Sequence, residues 1–291
     1  MEQGGQSLRN EDRISELPEA LLVQILSSLP TKVVVATSVL SKRWRSLWKT
    51  MPSLEFSYNA TNDLERFSNN VCRCLLSHQA PVLQSLDLSI DSDNNENSMD
   101  CDIGILLGVA FGLHLRELKL HVSSRKLFRF PTSLYNCGTL DTLKLSHDVV
   151  IDVPFPVGLK SLRTLHLKGV RYKDDESVVN LLSGCSHLEN LDLILYARSG
   201  VKTFTIDVPS LQRLIIRSTG EVLYVIKAPS LKYLEVGWSI NFDSILIGYT
   251  LELEEAYLSI SSKNYDYTLG SLTSVKRLCL SQFGPVRFAC N

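Results

Sequence analysis

The chain has 291 residues, 44% of them hydrophobic, enough for two compact domains or for one domain joined to an elongated repeat array. Thirty basic against thirty-one acidic residues leave a net charge of −1, so no global field draws the molecule toward nucleic acid or an anionic membrane. Neither is expected as a partner.

Residues 1 to 12 are polar and glycine-bearing, with too little apolar surface to offset the entropy of ordering them, and a disordered tail is expected there. No basic start leads into an apolar core, so no secretory signal is expected and the chain reads as cytoplasmic or nuclear. From Arg13 the texture changes. Pro18 suits the first position of a helix and Glu19 the positive end of its dipole, and Leu21, Leu22, Ile25, Leu26 and Leu29 form an apolar stripe ending before Pro30. Thr31 is placed to cap a second helix through the β-branched run Val33-Val34-Val35 to Leu40. Ser41 is placed to cap a third, in which Trp44, Leu47 and Trp48 fall at helical spacing. Three short helices with so large an apolar inventory call for a surface to pack on.

The residues Leu17-Pro18, Leu22, Ile25-Leu26, Leu29-Pro30-Thr31-Lys32, Thr37-Ser38-Val39-Leu40-Ser41-Lys42-Arg43-Trp44-Arg45 and Leu47-Trp48 closely resemble the F-box of plant F-box/leucine-rich-repeat proteins. The likeness covers residues 13 to 56. It implies docking on a Skp-type adaptor, through which a cullin scaffold and a RING subunit are reached. The adaptor-binding residues it points to are Leu17, Pro18, Leu21, Leu22, Ile25, Leu26, Leu29, Pro30, Val39, Leu40, Trp44 and Trp48.

Next come a linker and capping helix over 57 to 82. Leu64, Phe67, Val71, Cys74 and Leu75 recur at helical spacing, so a helix over 63 to 77 is expected to cover the first strand of the C-terminal array. Cys72-x-Cys74 lies within that helix. The seven cysteines of the chain lack paired metal spacing and are read as reduced thiols, with no metal or cofactor expected. Asp91 to Asn97 opens like a calcium loop, but its sixth position is Glu96 rather than Gly and its twelfth is Asp102 rather than Glu. It is read as a solvated insertion.

The remainder, 83 to 291, is built on one spacing. Leu-x-x-Leu-x-Leu begins at Leu83, Leu115, Leu140, Leu162 and Leu188, and looser forms begin at Leu211, Leu231, Leu253 and Val275. Successive starts are 32, 25, 22, 26, 23, 20, 22 and 22 residues apart, the period of leucine-rich repeats, in which each unit contributes one strand to a concave face. Helical returns are expected early, over Ile103 to Phe111 and around Val178 to Leu182, the latter capped by Asp174 or Asp175. After residue 200 the alternation of Phe204, Ile206, Val208 and of Val222, Tyr224, Ile226 predicts extended returns. No apolar run is long enough to span a bilayer; the longest, Ile103 to Leu113, is about half the ~20 residues required.

The repeats, notably Leu181 to Leu191 and Ala228 to Leu234, resemble those of the same plant proteins, many of which continue into an FBD module. That module is expected to be missing after Leu272 to Leu278. The fold class is therefore α/β: a three-helix F-box followed by a leucine-rich-repeat solenoid.

No nucleophile elbow, phosphate loop, dinucleotide fingerprint or zinc-protease helix is present, so a catalytic role is not expected. The informative positions are those flanking each central strand residue, which point to the concave face: Glu117 and Lys119 early, Arg213 and Ile215 midway, Arg277 and Cys279 last. From this lane Lys119, Lys144, His166, Lys168, Asp192, Arg213, Arg217, Tyr233, Glu235 and Tyr257 are expected to bind a protein substrate. The resemblance implies a substrate receptor of a ubiquitin ligase. An adaptor-binding scaffold without a role in degradation, or a receptor needing a small-molecule co-ligand, are the alternatives.

Overall fold

The computed structural model describes residues 14, 16–59, 63–92, 99–238, 245–248, 250–259, 272 and 275–281. The expected tail over 1 to 12, most of the acidic stretch after Ser92 and the region beyond Ser281 lie outside them.

Three short helices open the chain: α1 (Glu19–Leu26), α2 (Thr31–Ala36) and α3 (Lys42–Leu47). Pro18 stands at the N-cap of α1 and Pro30 at that of α2, and the two prolines set the helix starts. Ser41 caps α3 by accepting from the Trp44 N–H at 3.4 Å, as its position predicts. Thr31 does not cap. It is the first residue of α2, and its hydroxyl accepts from the Glu55 N–H at 2.7 Å, which ties the helical module to the adjoining strand. The β-branched run sustains only six residues of α2 before the chain tightens into a 3-10 turn over Thr37–Val39.

That strand is β1 (Ser53–Asn59), parallel to β2 (Ser85–Ser92) from Ser53↔Ser85 to Asn59↔Asp91. The repeat sheet thus starts at Ser53 rather than at the Leu83 unit. Helix α4 (Leu64–Leu76) joins β1 to β2, its start capped by Asp63, which accepts from the Arg66 N–H at 3.2 Å. It packs beside α5 (Met99–Gly112) as a return helix of the array, with Phe67 5.3 Å from the Tyr58 ring. The expected end cap is therefore a repeat return, and the three-helix module, braced by Thr31, covers the outer edge of β1.

Then come β3 (Glu117–Ser124), β4 (Phe128–Arg129), β5 (Thr142–His147), β6 (Val149–Ile151), β7 (Thr164–Lys168), β8 (Arg171–Tyr172), α6 (Asp175–Ser183), β9 (Asn190–Leu195), β10 (Thr203–Asp207), β11 (Arg213–Ser218), β12 (Leu223–Lys227), β13 (Tyr233–Trp238), β14 (Ile245–Ile247), β15 (Glu255–Ser259) and β16 (Arg277–Ser281). Among the described residues one ten-stranded parallel sheet runs β1-β2-β3-β5-β7-β9-β11-β13-β15-β16. The extended returns form two small parallel sheets, β4-β6-β8 and β10-β12-β14. Extended returns thus begin near residue 128, earlier than the expected change after 200, and among the described residues α4, α5 and α6 are the α-helical returns, with a 3-10 turn over Thr132–Asn136 besides.

The core lies between the large sheet and these returns. The repeated leucines fill it: Leu86, Leu118, Leu143, Leu165, Leu191, Leu214 and Leu234, register partners across the sheet, are each at most 1% exposed. At roughly 25 cal/mol per Å² of apolar area removed from water, this column is the main source of stability of the array. Aromatic rings extend it on the return side, with Tyr172 edge-on to Phe204 at 5.5 Å. Two neighbouring carboxylates fix helix α6: Asp174 caps it, and Asp175 accepts from the Lys202 and Thr203 N–H groups that open β10. No described helix is long and apolar enough to cross a membrane.

Candidate functional site

Two surfaces stand out, one on the helical module and one on the open face of the sheet. On the module, short amphipathic helices bury one side and expose apolar residues on the other. Leu22, Leu26 and Trp44, expected to bind the adaptor, are at 0, 2 and 8% exposure and form the module's own core. A helical stripe is legible in them, but it faces inward. Leu17 and Trp48 are half-buried against that core, and the Leu17 carbonyl accepts from the Arg43 guanidinium. The residues that reach solvent are Pro18, Leu21, Ile25, Leu29, Pro30, Val39 and Leu40, the last two at 83 and 65% exposure. Val33, absent from the expected set, joins them at 46%. Its signal is its place in α2 beside Val34, which alone of the pair turns into the core.

Alternation in the strands sends every second side chain to the open face of the sheet. Parallel register brings these side chains into rows. One row runs Glu55, Asp87, Lys119, Lys144, His166, Asp192, Ile215, Glu235, Tyr257, Cys279. A neighbouring row, two residues further along each strand, runs Ser57, Ser89, His121, Ser146, Lys168, Ile194, Arg217, Gly237, and in the last two strands Ser259 stands beside Ser281. All the expected substrate-binding residues fall in these rows or in the one before them, which holds Arg213 and Tyr233. Ile215 and Cys279 share the face but are 7 and 4% exposed, so they floor it rather than project from it.

Charges on this face are cross-linked strand to strand. Lys144 Nζ lies 3.0 Å from Glu117, and Lys119 sits 3.9 Å from Asp87 and 3.8 Å from Glu117. Burial alone raises the Glu117 carboxyl, but Lys144, Lys119 and the Ser85 hydroxyl together hold it below its ordinary value. His166 Nδ1 is 3.5 Å from Asp192, while Arg217 donates to Glu235 at 2.6 Å and lies 3.9 Å from Asp192.

Toward the C-terminal side the face turns aromatic. Tyr233 and Tyr257 are 5.4 Å apart, the Arg213 guanidinium lies 4.0 Å over the Tyr233 ring, and each tyrosine hydroxyl donates to a glutamate of its own strand, Glu235 and Glu255. Beside them is a cavity of about 480 Å³ lined by Arg217, Tyr233, Glu235, Gly237, Tyr257 and Ser259. A Cβ at Gly237 would meet only Arg217 Cγ at 3.9 Å, so the space there is open because the residue is glycine. The expected set omitted Gly237, which carries no side chain for a sequence reading to register.

No group of three or more His, Cys, Asp or Glu side chains is arranged to hold a metal ion among the described residues. Burial pushes the Cys185 thiol up to about 12, and Cys74 is raised by burial as well.

A helical module packed on the first strand of a parallel repeat sheet, with a charged and aromatic open face, defines a leucine-rich-repeat protein with an appended N-terminal module. The F-box domain model matches residues 14–56, and the model described as "FBD-associated F-box protein At5g56370, LRR repeats" matches residues 110–254. F-box/LRR-repeat protein At3g26922 of Arabidopsis thaliana is 52% identical over 291 residues, covering 97% of this chain and 94% of that protein. F-box/FBD/LRR-repeat protein At3g26920 of the same organism is 58% identical over 281 residues, which cover 95% of this chain and 64% of that protein. The putative F-box/FBD/LRR-repeat protein At4g13965, also of Arabidopsis thaliana, is 51% identical over 288 residues, covering 97% of this chain and 66% of that protein. The chain belongs to the F-box/LRR-repeat family.

Proposed function

We propose that this chain is the substrate-recognition subunit of a Skp-cullin-F-box ubiquitin ligase, acting in the cytoplasm or nucleus. The helical module docks on a Skp-type adaptor, which brings the cullin and RING subunits. The open face of the sheet holds the protein to be modified. Ubiquitin chemistry belongs to the RING subunit and its conjugating enzyme, and this chain contributes proximity.

The observation that carries the reading is the solvent-exposed apolar set Leu21, Ile25, Leu29, Val33, Val39 and Leu40, all within the segment matched by the F-box family. A six-membered apolar group on so small a module is what a partner surface would bury. The test is affinity capture of the full chain with proteasome inhibitor present, alongside the Val39→Glu, Leu40→Glu chain. The reading requires the full chain to bring down a Skp-type adaptor, a cullin and proteins whose levels rise on inhibition. It requires the Val39→Glu, Leu40→Glu chain to lose the adaptor and cullin. Adaptor capture without any stabilised protein favours a scaffold, and absence of the adaptor refutes the assignment.

A further inference from the structure

The middle of the open face sets three lysines and two histidines close together on three adjacent strands. Strands β3, β5 and β7 set Lys119, Lys144 and His166 side by side in one row, and His121, Ser146 and Lys168 side by side in the next. Five of these six positions are basic and none is acidic. The sixth, Ser146, offers a hydroxyl 3.1 Å from His121 Nδ1. A cavity of about 310 Å³ opens among Lys144, Ser146, His166, Lys168, Asp192 and Ile194.

The carboxylates near the block sit on its perimeter: Asp87 on β2, Glu117 at the start of β3, Asp192 on β9 and Asp148 just past β5. They pair with Lys119, Lys144, His166 and, at 4.0 Å, Arg171. Lys168 is exposed and has no carboxylate within ion-pair distance among the described residues. His147, at the end of β5, stands edge-on to His121 with ring centres 4.6 Å apart. Burial and then the charges of His121 and Lys168 hold its imidazole below the ordinary histidine value, with Asp148 acting in the opposite sense. Lys119 and Lys144 are answered by carboxylates, so Lys168 is the block's remaining capacity for an anion.

We propose that this block binds an acidic segment of a protein partner, with Lys168 and Lys144 as its central contacts. The dimensions favour a peptide over a small anion. Two strand spacings, from β3 to β7, amount to ~10 Å, close to one turn of a polyproline II segment, three residues at ~3.1 Å each. Carboxylates three positions apart on such a segment share one face and therefore meet Lys119 at one end and His166 or Lys168 at the other. The proposal rests on the substrate-receptor reading only in making the bound segment part of a ligase substrate; the affinity itself belongs to the block.

The test uses the full chain and a fluorescein-labelled hexaglutamate peptide, with hexaserine as the uncharged control, read by fluorescence anisotropy. Lys168→Glu reverses the unpaired cation, Lys168→Arg preserves it, and Lys160→Glu makes the same change of net charge at an exposed site outside the block. Hexaglutamate is expected to bind, Lys168→Glu to weaken it by at least about tenfold, and Lys168→Arg and Lys160→Glu to stay within about twofold. Inorganic phosphate should displace the peptide no better than chloride at equal ionic strength. Equal losses from Lys160→Glu and Lys168→Glu, or binding of hexaserine as tight as hexaglutamate, would each overturn the proposal. Adaptor capture by the Lys168→Glu chain, which the proposal leaves intact, keeps failure here separate from failure of the ligase reading.

Discussion

The contact between Thr31 and Glu55 is where the helical module is joined to the sheet, and Thr31→Val tests it. Valine keeps the shape of the side chain, which is 6% exposed, and removes the hydroxyl that accepts from the Glu55 N–H at 2.7 Å. Strand β1 has a partner on one side only, so this N–H faces a groove of about 910 Å³ between α2, β1 and α4 rather than another strand. Loss of an intramolecular acceptor at a partly buried amide costs about 1 to 2 kcal/mol, at the lower end where water from the groove reaches it. Read as local protection, that is a factor of roughly 5 to 30 at the Glu55 amide. Hydrogen exchange resolved to single amides is the assay. Protection at Glu55 should fall by this factor in Thr31→Val and return in Thr31→Ser, while the amides of α2 hold theirs. Unchanged protection at Glu55 together with loss across α2 would show that Thr31 serves the helix start and that the bridge contributes nothing.

Other outcomes rest on particular contacts. Gly184→Ala should lower the urea midpoint by the equivalent of about 1 to 3 kcal/mol, because a Cβ there would stand 2.1 Å from the Val157 carbonyl oxygen; an unchanged midpoint would mean the two segments separate freely. Cys185, whose thiol is buried, pushed up to about 12 and donating to the Leu181 carbonyl at 3.2 Å, should resist maleimide in the native chain and react on unfolding. Labelling it as fast as the half-exposed Cys137 would contradict its burial. His147 binds its proton less readily folded than unfolded, so its contribution to stability is complete above the unfolded value of about 6.5 and is lost as pH falls below it toward the folded value. The denaturation midpoint should therefore drop on acidification through that window, and less so in His147→Asn, which accepts the positive φ of 69° at this position. An equal drop in both chains would refute the assignment.

The strands of the array are legible because each Leu-x-x-Leu-x-Leu unit combines a period of two with a repeat near twenty-two residues, and no helix satisfies both. Helix α6 is legible from Asp174 and the buried run after it, since capping is local. Strand β1 shows the limit. Leu54, Phe56 and Tyr58 alternate as a strand should, but no leucine signature precedes them, so the segment passes for the end of the module and a linker. Strands β4, β6 and β8 have two or three residues each, too few for any period to register. Thr31 is deceptive because a hydroxyl before an apolar run looks like a cap, whereas its acceptor role is fixed by a strand 24 residues away. On the module, periodicity separates apolar from polar faces but not the face turned inward, with Leu22, Leu26 and Trp44, from the face turned outward, with Val39 and Leu40. On the sheet, side-chain type and alternation mark the open face, but the rows that put Lys144 beside Lys168's strand and Arg213 over Tyr233 depend on register across the whole array.

The measurement closest to the central claim is calorimetric titration of a recombinant Skp-type adaptor into the full chain and into the Val39→Glu, Leu40→Glu variant. Both side chains are largely exposed, so the change should leave the circular dichroism spectrum unaltered while burying two charges in any interface formed there. The account predicts binding by the parent chain and a loss of at least about tenfold in the variant. No binding by the parent chain, or equal affinity in the two, would contradict it.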